Sequence, residues 1–88
     1  MKTIVRMPAC SAPRLLQLNR SNGDAVELGD ILFSYESDGA LLFEYSACIG
    51  TVTECHVSEG QLLRPGDAVM TVEGEIPDPS RELFSARA

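Results

Sequence analysis

The sequence offers little positive charge. Its 88 residues include a single lysine, Lys2, and no tryptophan, and thirteen acidic residues against seven basic ones give a formal net charge of −6. The resulting field repels phosphate backbones and anionic lipid headgroups. We therefore expect no nucleic-acid partner and no membrane partner.

Long apolar runs are also lacking. The opening segment MKTIVRMPAC is interrupted by Arg6 and Pro8 before it reaches the length of a signal peptide. No run elsewhere approaches the ~20 apolar residues that span a bilayer. We therefore expect a cytoplasmic protein.

The number and spacing of the cysteines exclude further classes of site. The three cysteines, Cys10, Cys48 and Cys55, are odd in number and show no C-x-x-C spacing, which argues against a disulfide framework and a structural zinc site. Cys55 and His56 are adjacent, and adjacent residues on a strand point to opposite faces. We therefore predict neither a metal site nor a thiol activated by this histidine.

The chain does contain an internal repeat. Residues 22–38, NGDAVELGDILFSYESD, align without a gap on residues 59–75, EGQLLRPGDAVMTVEGE, at a constant shift of 37 residues. Upstream, residues 14–19 fall on residues 51–56, and both segments have the character of strands. The identical aligned positions are Gly23 with Gly60, Gly29 with Gly66, Asp30 with Asp67 and Glu36 with Glu73.

This repeat predicts the fold. A chain of 88 residues has room for one domain with one modest core. Each half consists of a strand, a glycine turn, a short connection, a Gly-Asp turn and a second strand, and so small a unit cannot bury both faces of its strands alone. We therefore predict an all-β domain over residues 1–76. Two small antiparallel sheets, related by an approximate twofold axis, should face each other as a flattened barrel or sandwich.

The segment YESDGALL, residues 35–42, predicts a hairpin in the first half. The apolar runs ILFSY and ALLFEY flank it, and an Asp-Gly pair between such runs favours a two-residue type I′ turn. Glycine closes such a turn without strain. We expect Asp38 and Gly39 at an exposed tip, with the related Glu73 and Gly74 near the opposite end of the pseudo-twofold.

These features resemble the lipoyl/biotinyl attachment domains, the swinging carriers of 2-oxo acid dehydrogenase complexes and biotin-dependent carboxylases. The resemblance covers about residues 2–75 and includes the internal repeat. It implies a carrier fold whose hairpin tip presents a lysine that bears the lipoyl or biotinyl arm. The positions that match the family's spacing are Met7-Pro8, Gly23-Asp24, Val26, Leu32, Glu36-Ser37-Asp38-Gly39-Ala40 and Gly50-Thr51-Val52.

The chain departs from this family at the attachment position. Gly39, between Asp38 and Ala40, stands where the family has its modified lysine, and no lysine lies near it in the sequence. The arm is attached to a primary amine, and glycine has no side chain. Ser37 would give a labile ester and would need a base within hydrogen-bond reach. We therefore expect no covalent cofactor. A second departure, Ala47 in place of a proline, affects only local stiffness.

Three functions compete. The first is a divergent, non-catalytic lipoyl/biotinyl-like domain that acts as a protein-binding or structural module, with an enzyme subunit of a multienzyme complex as its partner. The alternative is a lipoyl or biotinyl carrier domain of a 2-oxo acid dehydrogenase acyltransferase or a biotin-dependent carboxylase, modified unconventionally or with its lysine replaced. An autonomous enzyme is disfavoured, because no nucleophile with a base, no pair of catalytic carboxylates and no metal cluster stands out. A membrane-fusion adaptor is disfavoured too, because it would insert a long helical hairpin where this chain has a two-residue turn.

Residues 77–88 are assigned to a C-terminal tail or linker. Two prolines end the strand pattern there, and Ser80 can cap a short helix that contains the apolar pair Leu83-Phe84. So short a helix is marginal alone. The segment is then either a frayed end or linker, or a contact to a partner through Leu83-Phe84, and we favour the partner contact.

Overall fold

The computed structural model describes residues 1–76, which form seven β-strands. Within this range no helix is long and apolar enough to cross a membrane. The expected helix cap at Ser80 and the Leu83-Phe84 pair lie outside the described residues. The strands are β1 (Lys2–Arg6), β2 (Arg14–Leu18), β3 (Ala25–Val26), β4 (Ile31–Ser37), β5 (Ala40–Tyr45), β6 (Ile49–Cys55) and β7 (Ala68–Glu75).

The strands form two antiparallel sheets. The larger sheet has the order β1-β7-β6-β3, and the smaller sheet has the order β2-β4-β5. Strand β7 is therefore interior in the larger sheet and β4 is interior in the smaller one, while β1 and β5 are edge strands. The predicted all-β architecture of two small antiparallel sheets is confirmed.

The core lies between the two sheets and is built mainly from their interior strands. Phe33 on β4 is fully buried, and its ring centroid lies 5.9 Å from that of Tyr35. Burial of each large apolar side chain stabilises the fold by about 1.5–3 kcal/mol. The buried apolar residues are Met7, Leu15, Val26, Leu32, Phe33, Tyr35, Cys48, Val52, Leu63, Val69, Met70 and Val72.

The repeat in the sequence is also a repeat in strand pairing. Leu15 on β2 lies opposite Tyr35 on β4, and their counterparts 37 residues later, Val52 on β6 and Val72 on β7, lie opposite each other as well. The bulge that follows Leu15 recurs after Val52. The two halves also contact each other reciprocally, since Ala25 pairs with Thr51 and their counterparts, Leu62 and Arg14, pair with each other. Because the register repeats and the contacts are reciprocal, the two halves are related by the predicted pseudo-twofold axis.

The Gly-Asp turns repeat in the same detail. Oδ2 of Asp30 accepts the N–H of Glu27 at 2.9 Å, and Oδ2 of Asp67 accepts the N–H of Arg64 at 2.8 Å. These bonds close both turns, as expected for aspartate. Asp30 also lies 3.2 Å from the guanidinium of Arg20. The bond from Glu27 and the contact with Arg20 together hold the pKa of the Asp30 carboxyl below its usual range.

Strand β1 occupies, beside β7, the place that β5 occupies beside β4. Phe43 on β5 lies opposite Ser34 on β4, and Ile4 on β1 lies opposite Thr71, the counterpart of Ser34. The first strand of the chain thus completes its second half. A direct comparison at a shift of 37 residues does not find this relationship, because β1 precedes both copies of the repeat.

Candidate functional site

The tip of the β4–β5 hairpin is the candidate site, since the resemblance assigns the modified residue of a carrier to it. Ser37 and Ala40 pair across the turn, and between them Asp38 and Gly39 have φ angles of 51° and 75°. Positive φ at both central positions is the mark of a type I′ turn. Asp38, Gly39 and Ala40 are all exposed. This is the turn type that the sequence predicts.

Space is available at the tip for a longer side chain. A β-carbon built on Gly39 would meet no heavy atom within 4 Å outside its immediate chain neighbours. The left-handed backbone at this position costs a non-glycine residue roughly 1–2 kcal/mol. What the tip lacks is therefore a reactive group, and not room for one.

Ser37 is held in place by the preceding loop. Its hydroxyl donates a 2.7 Å hydrogen bond to the carbonyl oxygen of Ser11, and the residue is 7% exposed. Ser11 belongs to the loop between β1 and β2, which also contains Ala12 at a φ of 40°. With its proton engaged by a carbonyl and no base beside it, Ser37 lacks the activation that a serine nucleophile needs.

The amines among the described residues lie elsewhere. Lys2 is opposite Glu73 on β7, and the α-amino group of Met1 is 3.1 Å from Oε1 of Glu73. The carbonyl oxygen of Met1 accepts the N–H of Gly74, which is the counterpart of Ser37. The amines thus gather at the twofold counterpart of the tip. A lipoyl or biotinyl arm requires a primary amine, so the residues at the tip do not fit such a group.

A histidine and a hydroxyl meet at a second place, where β6 ends. Nε2 of His56 lies 2.7 Å from Oγ1 of Thr71, and Nδ1 lies 3.8 Å from a carboxylate oxygen of Glu54. The second distance is too long for a hydrogen bond. The thiol of Cys55 points instead toward the carbonyl oxygen of Arg20, 3.6 Å away, so thiol and imidazole diverge as predicted.

The His56–Thr71 pair was not evident in the sequence, because His56 follows β6, Thr71 lies on β7, and neither residue occurs in a motif. Thr71 is 8% exposed, so its hydroxyl is poorly placed to attack a substrate. The hydrogen bond ties the end of β6 to the middle of β7. Within residues 1–76, no group of three or more histidine, cysteine or acidic side chains could hold a metal ion.

A groove of about 220 Å³ opens between the edge strands β1 and β5. Val5 and Glu44, which are twofold counterparts, both line it, as do the counterparts Arg6 and Tyr45. The groove therefore straddles the pseudo-twofold axis. Burial raises the pKa of the Glu44 carboxyl, and a hydrogen bond from the N–H of Tyr45 opposes this rise. The groove is smaller than the roughly 300–1,000 Å³ of most ligand sites.

The exposure of apolar side chains on strand β5 is not evident from the sequence. Leu41, Phe43 and Tyr45 are all exposed on it, whereas the equally apolar β4 is largely buried. The runs ILFSY and ALLFEY have nearly the same composition, so composition gives no signal. The difference arises from the sheet order, which makes β4 interior and β5 an edge.

By sequence, the chain matches no protein family and no curated protein. Its structure is similar to a single-chain, multi-domain long-chain acyl-CoA carboxylase, with a TM-score of 0.75 and 15% identity, over 98% of this chain and 9% of the carboxylase. It is also similar to the lipoyl domain of the 2-oxoglutarate dehydrogenase complex from Azotobacter vinelandii, with a TM-score of 0.67 and 18% identity, over 83% of this chain and 100% of that domain. The chain thus spans 9% of the carboxylase's length and the whole of the lipoyl domain. At these identities the likeness establishes the fold: residues 1–76 form a flattened sandwich of the lipoyl/biotinyl carrier type.

Proposed function

We propose that the chain is a non-catalytic module of the lipoyl/biotinyl carrier fold that acts by binding a protein partner and carries no covalent arm. The observation that carries the proposal is the hairpin tip. The type I′ turn presents Gly39 to solvent at the position that the resemblance assigns to the modified lysine. A carrier delivers its cargo through an amine at that point, and the tip has none.

The other groups near the tip support this proposal. Asp38 offers a carboxylate, Ala40 a methyl group and Ser37 a hydroxyl that is bonded to Ser11. None of these forms a stable amide with lipoate or biotin. A swinging arm is thus disfavoured by the chemistry of the tip, although the backbone scaffold of a carrier is present.

An enzymatic role has less support. Within residues 1–76, a hydroxyl that contacts an imidazole is that of Thr71, which is buried and lies outside the groove between β1 and β5. The raised pKa of Glu44 in that groove comes from burial, and no second carboxylate lines the groove beside it. General acid–base chemistry needs partners within reach of one substrate. We therefore assign the module a binding or structural role.

The proposed partner is an enzyme subunit of a multienzyme assembly in the cytoplasm. The two similar structures support this choice, since one is a domain of a dehydrogenase complex and the other a multi-domain carboxylase. A carrier scaffold without its arm would keep a surface on which such a subunit can dock. Affinity capture from the native cell, followed by identification of the bound protein, would name this subunit.

Intact mass spectrometry tests the absence of the arm. The full-length chain is co-expressed with a lipoate ligase or a biotin ligase and with excess cofactor, and its mass is expected to equal that of the unmodified sequence. A genuine lipoyl domain in the same cells serves as the positive control. A mass increase that maps to any residue from 35 to 42 would overturn the proposal and favour a carrier with an unconventional attachment. An increase at Lys2, the only lysine, would favour a carrier that uses the opposite end.

A further inference from the structure

Strand β5 is an edge strand with an uncharged outer face. It pairs with β4 on one side, and no other strand within residues 1–76 pairs with it on the other side. Leu42 and Glu44 lie opposite the buried Tyr35 and Phe33, so their side chains point toward the inner face, where Glu44 is half-buried and Leu42 is still 37% exposed. The alternate residues, which point outward, are Leu41, Phe43 and Tyr45, exposed by 57%, 42% and 55%.

We call Leu41, Phe43 and Tyr45 the outward row. The backbone groups that face the open edge of β5 belong to these same residues. Across a two-residue hairpin the flanking residues, here Ser37 and Ala40, exchange both backbone hydrogen bonds, and bonded pairs then alternate along the ladder. The N–H and C=O of Leu42 therefore face β4. Those of Leu41 and Phe43 face the open edge, where another strand could bind them.

Strand β1, the twofold counterpart of β5, is an edge strand whose charged side chains discourage pairing with another chain. Lysine and other charged side chains on an edge discourage pairing with another chain. Strand β1 has two such residues in its outward row, whereas the outward row of β5 has none. The matched positions are Lys2 with Leu41, Ile4 with Phe43, and Arg6 with Tyr45.

We propose that β5 is a self-association surface, on which β5 of a second copy pairs in antiparallel orientation about a twofold axis at Phe43. In this register Phe43 lies opposite Phe43 of the second copy, and Leu41 lies opposite Tyr45. The residues that lie opposite each other across this pair are those of the outward row. Their N–H and C=O groups face the open edge, so hydrogen bonds can form between the two β5 strands. The two three-stranded sheets then form one continuous sheet of six strands.

Charge and geometry select this register among its neighbours. A register centred on Glu44 would place two carboxylates directly opposite each other, which destabilises a strand pair. A register centred on Leu42 would place Tyr45 opposite the turn residue Gly39. In the register centred on Phe43, each residue of the outward row lies opposite a residue of the same row in the second copy. Glu44 then lies opposite Leu42.

The buried area predicts a weak dimer. A fully exposed aromatic side chain offers about 200 Å², so Phe43 and Tyr45, exposed by 42% and 55%, together offer about 200 Å² per copy. Leu41 and the paired backbone add to this area, but the total stays below the roughly 1,200 Å² at which stable interfaces begin. Because each copy has a formal charge of −6, added salt is expected to strengthen the dimer by screening repulsion.

Residue-resolved hydrogen exchange on the full-length chain, combined with sedimentation, tests the pairing. In dilute solution the amides of Leu41 and Phe43 should exchange freely. At a total chain concentration of about ten times Kd, roughly a fifth of the chains remain monomeric, so mass action should raise the protection of these amides about fivefold, together with the dimer population. The amide of Leu42, which faces β4, is the internal reference, and its protection should not depend on dimerisation in this way.

Two variants supply matched controls. The double variant Leu41→Lys/Tyr45→Arg copies the charge pattern of β1 onto β5, and we expect it to remain monomeric at concentrations at which the parent chain dimerises. Leu62→Lys introduces a charge at another exposed leucine, 60% exposed and outside β5, and should leave the dimer intact. Thermal unfolding of both variants checks that they are folded.

The remaining outcomes would overturn the proposal. A chain that stays monomeric with unprotected Leu41 and Phe43 amides has no such interface. Protection of these amides in a monomer at every concentration would mean that another segment of the same chain covers the edge. A dimer in which they remain unprotected would use a different surface.

Discussion

Gly50 and Gly74 lie directly opposite each other on β6 and β7, and neither position has room for a β-carbon. A β-carbon on Gly50 would overlap the backbone carbonyl of Glu73, and one on Gly74 would overlap that of Ile49. The obstructing atoms are backbone atoms, which cannot move aside as a flexible side chain can. The pair thus sets how closely these two strands approach.

Gly50→Ala is therefore expected to destabilise the domain by about 1–3 kcal/mol, the usual cost of forcing an extra carbon into a packed site. Denaturant unfolding monitored by circular dichroism measures this loss. Gly39→Ala is the comparison, since a β-carbon there meets nothing within 4 Å and the cost comes only from the positive φ. A smaller loss for Gly50→Ala than for Gly39→Ala would show that moving β6 and β7 apart costs less than the positive φ at Gly39.

The turn at the hairpin tip should discriminate between residue types at Gly39. Gly39→Val is expected to cost about 1–2 kcal/mol, because a β-branched residue is strained at positive φ. Gly39→Asn should cost less, since asparagine adopts the left-handed region more readily. The midpoint of urea unfolding compares the two variants. Equal losses would argue against a left-handed backbone at this residue.

Gly39→Lys should convert the tip into an attachment site. The position is exposed and open, and the lysine would follow Asp38 as in the lipoyl version of the family. We expect intact mass spectrometry to detect the lipoylated variant after co-expression with a ligase. Ala40→Lys, one residue along the hairpin, is the control and should stay unmodified. If neither variant is modified, the domain does not present the surface that the ligase recognises.

The carboxylate of Asp30 should contribute stability that depends on pH. Its pKa is lowered in the folded state, so the contribution is present above the pKa of the unfolded chain and is lost as the pH falls through the lowered value. Asp30→Asn should therefore lower the melting temperature at neutral pH, and the difference from the parent chain should shrink in acid.

Asp67→Asn is the matched control for this effect. Asp67 closes the equivalent turn through the N–H of Arg64, but the place that corresponds to Arg20 is taken by Val57. Its substitution should cost less at neutral pH, and added salt should narrow the gap between the two variants. If the melting temperatures of the two variants depended on pH in the same way, Arg20 would not be the cause of the effect at Asp30.

Deletion of residues 77–88 is expected to leave the melting temperature almost unchanged. The buried apolar residues of the described core all lie within residues 7–72, so the deletion removes none of them. The same truncation should weaken binding to a partner, if the Leu83-Phe84 pair makes that contact. Differential scanning calorimetry measures the first effect, and a large fall in melting temperature would show that the tail packs on the domain.

The sequence predicted those parts of the fold that depend on local signals. The repeated Gly-Asp pairs located the turns, and the Asp38-Gly39 pair located the hairpin and its turn type. The shift of 37 residues also predicted two equivalent halves, and the structure shows their equivalence in the matching registers of β2 with β4 and of β6 with β7. Each of these signals is contained in a few consecutive residues or in a comparison of the chain with itself.

Features that depend on sheet order could not be predicted in this way. Exposure of Phe43 follows from the edge position of β5, and the contact of His56 with Thr71 follows from the pairing of β6 with β7. The equivalence of β1 and β5 was not evident from the sequence, because β1 precedes both copies of the repeat whereas β5 lies between them. Such relationships exist only between segments that are distant in sequence.

The pseudo-twofold axis has a topological consequence for the chain. The two turn residues Asp38 and Gly39 correspond to Glu75 and Ile76, and Ala40 corresponds to Met1. Because the carbonyl oxygen of Met1 already accepts the N–H of Gly74, a peptide bond from Ile76 to Met1 would close a second hairpin like the first. Over residues 1–76 the backbone is therefore an almost closed ring of two nearly equal arcs, and a circular permutant opened between Gly39 and Ala40 would exchange the arcs while keeping every strand pair.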